Sequence, residues 1–119
     1  MGDMKTIWIH TILFFILFSS NLVSQPKLKI PIGTKFSFGD IVLTSKVQKS
    51  VVLKNIGKDT LDISNVHATC GCTAAMLSNN RIAPRDSGML NITFDASRFS
   101  GTVQKGVTFN TNDPKQLAV

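Results

Sequence analysis

The sequence predicts an all-β domain built as an antiparallel sandwich, with a small barrel as second choice. Three observations point there. After residue 24 every recognisable element repeats its apolar residues with period two, the mark of a strand with one buried face. Turn-forming clusters interrupt these runs about every ten residues, the spacing of short-stranded sandwiches. No window of helical length carries an apolar face at i, i+3, i+4 and i+7.

The elements follow in order. Phe36 and Phe38 alternate with Lys35 and Ser37 until Gly39-Asp40 breaks the run. Val47, Val51 and Leu53 share one parity, and Gln48, Ser50 and Lys54 take the other. Asn55-Ile56-Gly57 is a turn signal. Leu61 and Ile63 open another strand, whose inward parity slips at Ser64-Asn65, so a bulge or bend is expected there. Val66, Ala68, Cys70 and Cys72 then align on one face. Leu90, Ile92 and Phe94 form a further inward row. Val103, Val107 and Phe109 form the last, interrupted by Lys105. The spacers 78–80, 84–88, 97–101 and 112–114 are rich in Ser, Asn, Asp, Gly and Pro.

The first 24 residues are of another kind. Lys5 precedes a mostly apolar run at 7–18 (IWIHTILFFILF), and the small residues Ser19, Ser20 and Ser24 follow it. That is the layout of a secretory signal peptide. The run falls short of the roughly 20 apolar residues of a spanning helix, so cleavage after Ser24 is expected rather than retention as an anchor. No cysteine follows to carry a lipid. The expected organisation is a signal peptide at 1–24 and one domain at 25–119. That domain is extracytoplasmic, periplasmic or secreted, with no stable membrane span once the leader is gone.

Composition narrows the function. The net charge is +6, with the charges spread singly along the chain. A solvated basic surface therefore fits better than a nucleic-acid patch. The one Trp, Trp8, lies in the leader, and there is no Tyr. Only Phe36, Phe38, Phe94, Phe99 and Phe109 remain as aromatics, a poor supply of the stacking platforms that single-stranded nucleic acid requires. No nucleic-acid partner is expected. Catalytic groups are equally scarce: His67 is the sole histidine after the leader, and there is no Glu. Asp40, Asp86 and Asp113 sit in turn contexts, where carboxylates bond the backbone. A nucleophile, base and orienter in contact cannot be assembled beyond Cys70 or Cys72 with His67. The expectation is a protein that is not an enzyme and carries no cofactor. Asn91-Ile92-Thr93 reads as outward polar positions on a strand rather than a glycosylation site.

The stretch "HATCGCTAAM" (67–76) holds both cysteines, and three readings apply to it. In a regular strand Cys70 and Cys72 follow Val66 and Ala68 into the core as small soft residues, and His67 points outward. This reading is put first. A Cys70–Cys72 disulfide requires Gly71 to bend the chain, because Cα atoms two apart in an extended strand are about 6.5–7 Å apart, at the limit for a bridge. A Cu(I) site from Cys70, Cys72, His67 and Met76 requires the segment to be a loop.

The order "FSFGDI" (36–41), "VVLKNIGKDTLDISNVHATCGCT" (51–73), "RIAPRDSG" (81–88) and "GTVQKGVTFNTND" (101–113) resembles the bacterial domain-of-unknown-function family 1573, a relative of the Hydin/ASH immunoglobulin-like domains. The Cys-Gly-Cys-Thr at 70–73 is its most specific element. Two departures stand out. The family has Gly after the proline of its 84–88 turn, where this chain has Arg85, and its full final strand is here cut short at Val119. The resemblance implies an immunoglobulin-like sandwich in a cell-envelope setting, and no activity. The function expected is thus a non-enzymatic exported interaction or structural module of the envelope. Its partner would be an envelope protein or a strand-donating peptide, and self-association would run through the edge left open by the short last strand. The alternative is a small copper-binding or thiol-redox protein using Cys70-Gly71-Cys72.

Overall fold

The computed structural model describes residues 23–42 and 45–119, so the expected signal peptide lies outside the described residues except for its last two. Seven strands follow: β1 (Leu28–Lys29), β2 (Lys46–Asn55), β3 (Leu61–Ala68), β4 (Thr73–Leu77), β5 (Arg81–Ile82), β6 (Ser87–Asp95) and β7 (Val107–Thr111). They form two antiparallel sheets, β1-β2-β6-β4 and β5-β3-β7. No helix occurs among the described residues, and none there is long and apolar enough to cross a membrane. The all-β prediction holds.

Period two does the work the sequence assigned to it. On β2, Val51 and Leu53 point inward; on β6, Leu90, Ile92 and Phe94 do. The two strands pair from Lys46↔Asp95 to Lys54↔Ser87, so their inward rows face the same side. Leu61, Ile63, Ile82 and Phe109 answer from the other sheet, and they form one core with Leu28, Val51, Leu53, Leu90 and Ile92. Each fully buried Leu or Ile contributes roughly 1.5–3 kcal/mol of transfer free energy. The slip in β3 is present: its register with β7 shifts between Ser64 and His67, and Asn65 takes a φ of 50°. An Asn at that point is chemically apt, because its short polar side chain tolerates the left-handed region.

One end of the molecule is tied by side chains that bond the backbone. Asn55, fully buried at the end of β2, accepts from the Lys27 and Gly57 amides at 3.3 and 3.0 Å. Its Nδ2 donates to the Asp59 and Ile82 carbonyls at 2.7 and 2.9 Å. Gly57 has no room for a side chain: a Cβ there would lie 2.3 Å from the Gln25 carbonyl oxygen. Asp113, also buried, accepts from the Leu28 amide at 2.8 Å and the Lys115 amide at 2.9 Å. Asn112 accepts from the Asp62 amide at 2.9 Å and donates to the Thr60 carbonyl at 3.0 Å. Carboxylate and amide turns therefore knit the first and last segments to β2 and β3.

Several expectations fail in detail. Phe36 and Phe38 lie in an irregular segment rather than a strand. They pack half-buried against the core, their rings edge-on with centroids 5.7 Å apart. The last inward row begins at Val107, not Val103, which is exposed on a loop. Lys105, the interrupting residue, lies over the Phe99 ring at 4.5 Å. The short strand β5 had no counterpart in the periodic reading. The residues after Pro114 do not leave the edge of β7 bare. They turn back on it, with Val119 exchanging amide bonds with Phe109 at 2.9 and 3.0 Å and Ala118 bridging Asn110.

Candidate functional site: the Cys-Gly-Cys turn

The strand carrying "HATCGCTAAM" stops sooner than parity predicts. Strand β3 ends at Ala68, and Thr69 to Cys72 form the turn that carries the chain from one sheet to the other. Three backbone bonds build it. The Thr69 amide donates to the Gly106 carbonyl at 2.9 Å, the Thr73 amide to the Cys70 carbonyl at 3.2 Å, and the Asp95 amide to the Cys72 carbonyl at 2.9 Å. Thr69 is tied twice, since its Oγ1 accepts from the Gly106 amide at 3.1 Å. The core reading of the cysteines, put first on parity, is therefore corrected. Cys70 and Cys72 sit half-buried on a turn, not inside a strand.

In this conformation the two cysteines are joined by a disulfide, with their Cα atoms 5.3 Å apart. The turn supplies the shortening that an extended strand lacks. Gly71, between them, is exposed, with open space where a Cβ would stand. The buried Thr73 places its Oγ1 3.6 Å from the sulfur of Cys70 and 3.8 Å from that of Cys72. This hydroxyl is the polar neighbour of the bridge, and sequence reasoning passed over it. Its signal was weak: Thr73 merely closes the Cys-Gly-Cys-Thr motif.

The other two members of the proposed Cu(I) set lie elsewhere. His67 is exposed on β3, opposite Thr108 of β7. Met76 is 71% exposed on β4, opposite Asn91, in the other sheet. Among the described residues no three His, Cys, Asp or Glu side chains are grouped to hold a metal ion.

Two connections approach the turn by way of Phe94 on β6. The segment leading into β2 reaches it through Phe38, whose ring centroid is 6.5 Å from that of Phe94. The segment after β6 contributes Phe99, whose ring centroid is 5.6 Å from that of Phe94. Phe94 itself pairs with Thr73 in the ladder. Asp95 follows, its carboxyl held below the usual range by hydrogen bonds from Ser97, the amide at 3.0 Å among them, and to a lesser degree by Lys46 and Arg98. Elsewhere, an open cleft of about 290 Å³ is lined by Lys54, Asn55, Ile56, Arg85, Asp86 and Ser87.

No curated protein matches this chain. The crystal structure of a protein of unknown function from Porphyromonas gingivalis W83 is similar, with a TM-score of 0.72 and 17% identity, over 85% of this chain and 47% of that one. This chain spans about half the length of that structure, and at such identity the likeness concerns the fold alone. The family evidence is more direct: the model for the proteins of unknown function DUF1573 matches residues 32–119, and the chain belongs to that family.

Proposed function

We propose that this protein is an exported, non-enzymatic module of immunoglobulin type that works by interaction in the cell envelope. The observation that carries this reading is the use made of three polar side chains, two of them buried. Asn55, Asn112 and Asp113 direct their side chains at backbone groups of other segments, as a scaffold requires. Strand order supports the immunoglobulin type. With β1, β2, β4 and β6 taken as A, B, D and E, the first sheet reads A-B-E-D. Strands β3 and β7, with the segment at 117–119 beside β7, read C-F-G. This order favours a constant-type domain, with the two-residue β5 added beside C. The apolar run at 7–18 supports export.

The test is made on the native protein from the cells that produce it. Fractionation and intact mass should find it outside the cytoplasm, beginning at Gln25. Chemical cross-linking in the intact envelope should join it to a protein neighbour. A cytoplasmic protein that keeps residues 1–24 would sink the export reading. Export with no protein neighbour under cross-linking would sink the interaction reading.

A further inference from the structure

The bridge between Cys70 and Cys72 is badly placed to be a staple. It closes a ring around a single residue, Gly71, and so ties together nothing that is distant in the chain. The gain from a cross-link grows with the loop it closes, and this loop is minimal. The backbone already holds the turn without it, through the bonds from Thr73 to Cys70, Thr69 to Gly106 and Asp95 to Cys72. Opening the bridge removes none of the three. Two further features suit exchange. Gly71 is exposed and presents no side chain to an approaching group. The Thr73 hydroxyl lies within reach of either sulfur, so it can donate to whichever one is released as thiolate.

We propose that Cys70 and Cys72 form a thiol–disulfide exchange site that reacts with external thiols while the fold stays intact. An external thiolate attacks one sulfur of the pair, and the S–S bond breaks. The other sulfur leaves with the electron pair, accepts a hydrogen bond from Thr73 Oγ1, and takes up a proton. A second external thiolate then attacks the external sulfur of the mixed disulfide and releases the remaining cysteine as thiolate, which is protonated in turn. The net change is one protein disulfide and two thiols to two protein thiols and one external disulfide. Run backwards, an external disulfide reoxidises the pair. The reacting class is thiols, either small monothiols or a protein dithiol, and the exchange needs no metal. This activity stands apart from the interaction role, and either can fail without the other.

The experiment equilibrates the purified native protein in glutathione buffers of varied redox ratio, without oxygen, and quenches with acid. Mass spectrometry reads the bridge as a shift of about 2 Da between the two forms. Oxidised and reduced protein should interconvert with the ratio, and both should show the same circular dichroism and cooperative unfolding. Cys70→Ser and Cys72→Ser should each trap glutathione on the remaining cysteine. Thr73→Val should slow the exchange several-fold, with Thr73→Ser restoring it. A bridge that reacts only after denaturation would overturn the proposal, as would reduction that unfolds the protein. Single variants that fold but capture no glutathione count against it as well.

Discussion

Asn55 is a short, fully buried side chain holding four backbone groups. Truncation leaves buried donors and acceptors unpaired, each at a cost of roughly 1–3 kcal/mol. Asn55→Ala is therefore expected to lose about 3 kcal/mol of stability, read from the denaturant midpoint. Arg85 is the opposite case. Its φ of 66° lies in the left-handed region, where a Cβ is strained. That conformation explains why the family resemblance places a glycine there. Arg85→Gly should be neutral or stabilising by up to about 1 kcal/mol, since relieved strain opposes the added freedom of the unfolded chain. Asp95 supplies a pH test. Its folded pKa is depressed by Ser97, so its contribution to stability is present above the ordinary carboxylate range and is lost as pH falls through the folded value. In an NMR titration Ser97→Ala should move the Asp95 midpoint upward; an unmoved midpoint would refute the assignment to Ser97. Of these residues, the sequence disclosed Asn55 and Gly57 only as a turn. The groups they serve lie near residues 25, 27 and 82, and no local pattern announces contacts of that range.

Strand β3 shows how far periodicity reaches. The slip at Ser64-Asn65 was visible because Leu61 and Ile63 share one parity and Val66 and Ala68 the other. The end of the strand at Ala68 was not visible. Cysteine counts as apolar, so Cys70 and Cys72 prolong the alternation past the point where Thr69 binds Gly106 and the chain turns. The turn is fixed by hydrogen bonds to a segment almost forty positions away, and alternation carries no trace of those. The same reasoning covers Phe36 and Phe38, which alternate and pack on the core yet make no strand ladder. At this scale the expected outcome concerns the bulge. Asn65→Val puts a β-branched residue at positive φ, with an anticipated loss of about 1–2 kcal/mol, whereas Asn65→Gly should be tolerated. Thermal unfolding of the pair would check it, and equal stability of the two variants would contradict it.

Across the whole molecule the two ends are built differently. One is closed by Asn55, Asn112 and Asp113; the other gathers Phe38, Phe94 and Phe99 around the disulfide turn. The overall class, two antiparallel sheets over one core, was readable from period two and turn spacing. The division of labour between the ends was not, because it depends on which loops meet after folding. The bond from the Leu28 amide to the Asp113 carboxylate has a kinetic consequence. It joins positions 85 apart in sequence, so neither sheet is closed at that end until β1 through β7 are all present. Such long-range pairing places refolding in the range of roughly milliseconds to seconds. The expected order is that β2 and β6 meet first and this clasp forms after the barrier. Asp113→Ala should then accelerate unfolding about tenfold while leaving the refolding rate nearly unchanged. In stopped-flow chevrons the unfolding limb would rise and the folding limb stay in place. A domain that closes last where its first strand meets the turn after β7 is held folded mainly by how slowly that meeting comes undone.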